Sequence, residues 1–325
     1  MHPAFSVIFL TTLIGVAQGL FLALFSTQLY SELNILSNVS ESNFYGIGAV
    51  ISLLLLIGGL VSSFFHLGHP ERAWRAAAMW RTSWLSREVL ALPTMMTAVF
   101  FYGAIHLGNY DSVAYTIGGI SLSTSLFVGA FGVLTTFVLF ICTAMIYACI
   151  KFLQEWSTPL TVINYILFGT ASGFALAAAL ASYLDLTEHV LFLGNWAIAL
   201  TILVFLTRSA SLDRNIRIKF KSSIQSAIGI RHNKIEQKSQ GAMGGSFNTR
   251  EYFHGKTAMF LKSVKYIFMV LVFPVPLILL FSAVDTSNTG VLFAAFAIQY
   301  VGLIAERWYF FAQANHPQNI YYQTV

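Results

Sequence analysis

Apolar positions in this chain neither alternate nor keep to one helix face; they run on without interruption. Eight such runs fall at about 5–30, 44–65, 87–106, 123–150, 159–184, 189–207, 263–283 and 288–312. Each can carry a helix across the roughly 30 Å of a bilayer's hydrocarbon core. The pattern predicts an all-α, polytopic integral membrane bundle of eight transmembrane helices, a single membrane domain over 1–325. The fourth run could begin earlier, since 112–122 is itself fairly apolar. Pro159 sits just inside a helix start, where its missing N–H costs nothing. Pro274 and Pro276 fall inside the seventh run and predict a kink, whose freed backbone groups have to find partners within the bundle. The first run is too long for the core of an export signal and has no small-residue cleavage pattern after it, so it is expected to stay as a helix. No repeat of solenoid length is present.

Composition agrees with this reading. The chain is 57% hydrophobic and only 10% charged, with a mean hydropathy of +0.71, whereas a soluble domain is about 25% charged. The sidedness of the charges then adds an orientation. With eight spans, the two termini and the connections 66–86, 151–158 and 208–262 share one side, and all eighteen Lys and Arg fall there. The other side receives Glu32, Glu41, Asp111, Asp185, Glu188 and Asp285, and no base. Basic connections stay in the cytoplasm, so both termini are expected to be cytoplasmic in an inner-membrane protein. The net charge of +5 and the pI near 9.2 follow from this sidedness and imply no nucleic-acid binding.

Chemistry concentrates between the second and third runs. His66–Glu88, HLGHPERAWRAAAMWRTSWLSRE, holds two His, four Arg, two Glu and three Trp. Pro70 and Glu71 suit the first turn of a short helix, which would set Glu71 and Arg75 at i, i+4 and Arg72 beside Arg75 at i, i+3. Trp74 and Trp80 would anchor it at headgroup level. Ser86 suits the N-cap of the third span, with Glu88 in its first turn. An interfacial helix with snorkelling arginines explains these features as far as they go. The clustering of His66 and His69 with these charges beside an apolar wall supports a second reading, because such histidines exchange protons near neutral pH. A quinone needs an apolar slot for its ring and groups that hydrogen-bond and protonate its carbonyls, with Glu88 as a relay to the cytoplasm.

Elsewhere the chain is less specific. The 208–262 connection is basic (Arg214, Arg217, Lys219, Lys221, Arg231, Lys234, Lys238) and contains GAMGGSFNTREYFHG. It suits either a solvated loop drawn to anionic headgroups or a docking surface for a soluble partner. GAMGGS lacks the Lys-Ser/Thr of a phosphate loop. Cys142 and Cys149 read as buried thiols, and two cysteines cannot ligate an iron–sulfur cluster, which takes four. His2, His106, His189, His232, His254 and His316 lie in connections, tails or at span ends, so no haem and no metal site are expected. Gln18, Asn164 and Gln299 are polar within spans, and helix–helix hydrogen bonds account for each. Arg307 returns to the basic rim at the end of the last span, either snorkelling or as a partner for the 66–88 charges. Apolar span centres argue against a transporter without redox role, although the FPVP kink is a feature such proteins use.

HLGHPERAWRA followed by SWLSRE resembles the signature of the membrane anchor subunits of DMSO-reductase-type molybdoenzymes, and the eight spans and the C-terminal AERWYFF fit as well. The resemblance implies an anchor that binds quinone (ubiquinone or menaquinone). Its partners would be a four-cluster ferredoxin-like iron–sulfur subunit on the cytoplasmic face and a molybdopterin catalytic subunit. It places the family's quinone-side histidine on His66, its loop arginine on Arg72, its helix-start glutamate on Glu88 and its last-helix arginine on Arg307; proximity in sequence adds His69, Arg75 and Trp84. The basic character of the motif loop departs from anchors that face it to the periplasm. It is similar instead to the branch serving cytoplasmically oriented sulfite dehydrogenase (sulfite:quinone oxidoreductase), as is MGGSFNTREYFHG. That branch implies electron flow from sulfite through the clusters to quinone, with no contact between this chain and sulfite. An anchor that oxidises quinol to reduce an S- or N-oxide is the alternative.

Overall fold

A computed structural model describes residues 1–36, 42–117, 120–219, 223–232, 234–235 and 254–317. Eight helical stretches long and apolar enough to cross a membrane are present among the described residues. They are α1 (Phe5–Glu32), α2 (Ser42–Phe64), α3 (Trp84–Leu107), α4 (Thr124–Ala148), α5 (Pro159–Tyr183), α6 (Thr187–Ile216), a broken pair, and the last helix. A short α7 (Ile224–Ile228) follows α6. The broken pair is α8 (Ala258–Val272) and α9 (Pro274–Ala283), and α10 (Thr289–Ala312) closes the bundle. The break falls at Phe273 (φ −111°, ψ −80°), one residue ahead of Pro274, because proline excludes helical geometry from the residue before it. The predicted kink is therefore a full interruption.

Small residues decide which helices meet most closely. Gly15 and Gly19 on α1 face Gly169 and Gly173 on α5. A Cβ on Gly173 would lie 2.1 Å from the carbonyl carbon of Gly19, and one on Gly19 would lie 2.0 Å from the carbonyl oxygen of Gly169. Neither position admits a side chain, so the backbones pack directly, as glycines spaced four apart allow in lipid. The polar span residues then tie helices together. Gln18 Nε2 donates to the Thr136 carbonyl (3.0 Å), Thr207 donates to Asn164 Oδ1 (2.8 Å), and Gln299 Nε2 donates to Thr201 (3.1 Å). Each is a contact between helices, as expected.

Several local expectations are corrected. The N-cap of α3 is Ser83, whose hydroxyl accepts from the Ser86 amide at 3.4 Å; Ser86 is buried in the first turn instead. The apolar stretch before α4 does not extend that helix. It forms a hairpin, β1 (Val113–Ile117) paired antiparallel with β2 (Ile120–Ser123), in keeping with β-branched and aromatic residues in alternation. Cys142 is buried, but Cys149 caps the end of α4 and is exposed. The largest shift concerns α6, which runs on to Ile216 rather than ending near 207. At 1.5 Å per residue its 30 residues reach about 45 Å, so Arg208 lies inside a helix and the 208–262 connection starts after it. The MGGSFNTREY part of that connection lies outside the described residues.

Candidate quinone site

Six of the seven residues singled out from sequence separate into two groups; the seventh, Trp84, is half-buried at the start of α3. His66, His69, Arg72 and Arg75 are exposed, on the turn after α2 and a 3-10 helix, Pro70–Met79. Pro70 and Glu71 do occupy its first turn, but its three residues per turn remove the expected pairing of Glu71 with Arg75. Glu71 Oε1 instead lies 3.1 Å from His69 Nδ1 and 3.6 Å from Arg72 Nε. Arg75 stacks beside Trp74, Arg81 beside Trp80 and Arg87 over Trp84, the last with its guanidinium 4.2 Å from the ring centroid. Arg87 also donates to the carbonyls of Trp80 (2.9 Å) and Arg81 (2.7 Å), fixing the turn into α3. Partial desolvation holds the His66 pKa below its ordinary value of 6.5.

Glu88 and Arg307 are different. They are buried, at 8% and 4% exposure, and they line one cavity together with Thr11, Gln18, Thr143, Tyr165 and Ser172. Helices α1, α3, α4, α5 and α10 all contribute to it. Thr143 donates its hydroxyl to Glu88 Oε1 at 2.5 Å. The Arg307 guanidinium carbon lies over Tyr165, 3.9 Å from the ring centroid, a cation–π contact strengthened by exclusion of water. Tyr165 in turn stacks on Tyr147 (5.7 Å), within an aromatic cluster that includes Trp156, Phe310 and Phe311. The indole of Trp156 donates to the Phe310 carbonyl at 2.9 Å, which fixes the end of α10 and so the position of Arg307.

Arg307 does not snorkel. Its Nε lies 2.9 Å from Glu306 Oε2, and Glu306 Oε1 lies 2.8 Å from Arg208 Nη2. All three side chains are at most 5% exposed. A second, smaller cavity, lined by Asn164, Tyr165, Arg208, Ser211, Glu306 and Arg307, adjoins the first at Tyr165 and Arg307. Sequence reading missed Arg208, Tyr165 and Thr143. The signal for Arg208 was available: LTRSASL continues a helical run, and Glu306 offers a complementary charge at the same end of the bundle.

The donor set suits an oxygen atom: a guanidinium with an unused Nη1, a phenol held beside it, and a carboxyl facing a hydroxyl. The first cavity has a volume of about 20 Å³, the room of a single water. A quinone carbonyl matches its chemistry; admitting a ring requires lining side chains such as Phe140 or Leu303 to move.

Residues 1–313 match the family described as DMSO reductase anchor subunit. The chain is also similar to a sulfite dehydrogenase subunit from Allochromatium vinosum, at 51% identity over 326 residues, an overlap covering 100% of each protein.

Proposed function

This chain belongs to the family of DMSO reductase anchor subunits, and from that premise we propose that it is the quinone-reactive membrane subunit of a molybdopterin and iron–sulfur complex that oxidises sulfite. One observation carries the reading: Glu88 and Arg307, from helices far apart in sequence, converge on a single buried cavity at the basic end of the bundle. The name and full-length similarity of the Allochromatium vinosum protein support sulfite as the electron source. Quinone supplies two-electron, two-proton acceptor chemistry when bound. Arg307 donates to a ring oxygen, Tyr165 keeps the guanidinium plane in place, and Glu88, held by Thr143, gives or takes the proton. His66, His69, Arg72 and Arg75, exposed on the connection that leads into the Glu88 helix, serve in this reading as the water-facing side of the same end. The basic end faces the cytoplasm, where a four-cluster iron–sulfur subunit docks and links the chain to the molybdopterin subunit; all metal cofactors reside in those partners.

Replacing Glu88 by Gln tests this. Quinone-linked sulfite oxidation should be lost while dye-linked activity of the assembled complex remains; equal loss of both points to failed assembly and against a role in quinone chemistry. A second reading has quinol as donor and an S- or N-oxide as acceptor, favoured by the family's own description. Assaying the complex with sulfite and a ubiquinone analogue, then with DMSO and reduced quinol, separates the directions.

A further inference from the structure

Glu306 divides its carboxylate between two arginines, one oxygen to Arg208 and the other to Arg307. Two positive charges against one negative leave an excess positive charge in the apolar interior, which is costly unless an anion lies close by. Glu88, across the shared cavity, offsets this charge when ionised and leaves it uncompensated when it carries a proton. The guanidiniums also have unused capacity: Arg208 Nε and Arg307 Nη1 are buried without an aligned hydrogen-bond partner, and Arg208 Nη2, although 2.8 Å from Glu306 Oε1, is not aligned for one either. A buried donor of this kind points to something that comes and goes.

Resting on the quinone reading above, we propose that Arg208 is a positioning residue that keeps Arg307 available to a negatively charged substrate oxygen. A carboxylate left alone with one arginine closes on it with both oxygens and neutralises it. By holding Glu306 Oε1, Arg208 prevents that two-point pair, so Arg307 retains both a free donor and a net positive field. The ligand class is an ionised quinone or quinol, recognised through its oxygen anion.

The test uses the purified complex and two probes of matched shape: an acidic hydroxynaphthoquinone, anionic at neutral pH, and its neutral methyl ether. Wild type should bind the anion about tenfold more tightly than the ether. Arg208→Gln should lose that preference while ether affinity stays within about twofold, and Arg208→Lys should restore most of it. Glu306→Gln should move the other way, raising the preference above wild type, and it decides the matter should Arg208→Gln fail to assemble. A purely structural role would not give opposite signs. An unchanged preference in Arg208→Gln, or a reduced one in Glu306→Gln, overturns the assignment. Failure of wild type to bind either probe removes the quinone reading itself, and this role with it.

Discussion

Both ends of the bundle partner their carboxylates, one with neutral donors and the other with arginines. At the acidic end Gln28 uses its whole amide: Nε2 donates to Glu32 (3.1 Å) and Ser125 (2.6 Å), and Oε1 accepts from the Tyr102 hydroxyl (2.8 Å). Ser123 donates to Glu32 through its hydroxyl and its amide, and Ser125 does the same for Asp111. Both carboxylates meet neutral donors on α1, β2 or α4, and the network straps those elements together. At the basic end Glu306 lies between two buried arginines, and Arg208 Nε and Arg307 Nη1 have no aligned hydrogen-bond partner. Between the two lie Leu20, Phe21 and Leu24 of α1 with Met95 and Val99 of α3, all buried. His106 Nε2 and His189 Nδ1 at the acidic end are also without a hydrogen-bond partner, so it is the buried arginine charge, not the number of unpaired atoms, that argues for exchange with substrate at the basic end.

Replacing a group at each end breaks or sharpens this contrast, and the largest effect is expected at Glu88. Glu88→Gln should lower quinone-linked turnover about 100-fold or more, the usual worth of a positioned acid or base, with dye-linked turnover unchanged. A comparable loss from Asp111→Asn would erase the distinction between the ends. Gly169→Val comes next. Its side chain would meet the Gly15 carbonyl oxygen at 2.7 Å and the Phe140 ring at 2.6 Å, costing about 1–3 kcal/mol of stability by overpacking. Because Gly169 lines the cavity, quinone-linked turnover should fall, while amide hydrogen exchange around Ser123 and Ser125 should not. Glu32→Gln is smaller: about 1–2 kcal/mol from weakened hydrogen bonds, read from thermal unfolding in detergent, with turnover within about twofold of wild type.

The contrast also shows what a linear reading of the chain can and cannot reach. Eight spans, the break at Pro274 and the helix-to-helix bonds of Gln18, Asn164 and Gln299 were legible because lipid imposes one length and one requirement, that polar groups find partners. The pairing of α1 with α5 was also written in Gly15-Gly19 and Gly169-Gly173, and went unread. Sidedness of charge separated the two ends but could not say which charges were buried. Arg208 counted as one more loop base, whereas the helix carries it a further turn inside its own register, against Glu306. Glu88 and Arg307 were both singled out. That they share a cavity with Tyr165 and Thr143, while His66, His69, Arg72 and Arg75 stay at the surface, is a matter of tertiary packing with no sequence period to announce it.

The smallest effect concerns His66, and it tests whether rim and cavity act together. Desolvation holds its pKa below 6.5, so at neutral pH the ring carries less charge than a free imidazole and adds correspondingly less to the positive charge of the rim. The sign follows from linkage: in the window between the lowered folded value and 6.5, the unfolded chain binds more protons than the folded one. Stability contributed at this position therefore rises with pH through that window and is lost as pH falls through it, by little, because the ring is exposed and well screened. Carbethoxylation followed by mass spectrometry reads the neutral ring directly, and its midpoint at His66 should lie below 6.5; a midpoint above it would mean that an acidic partner, not desolvation, governs the ring. If His66 only exchanges protons with water at the rim, His66→Asn should reshape the acid limb of quinone-linked turnover and leave the plateau. A plateau collapse as deep as that of Glu88→Gln would instead join the exposed histidine and the buried carboxyl into one site, and would require the loop after α2 to fold inward when substrate binds.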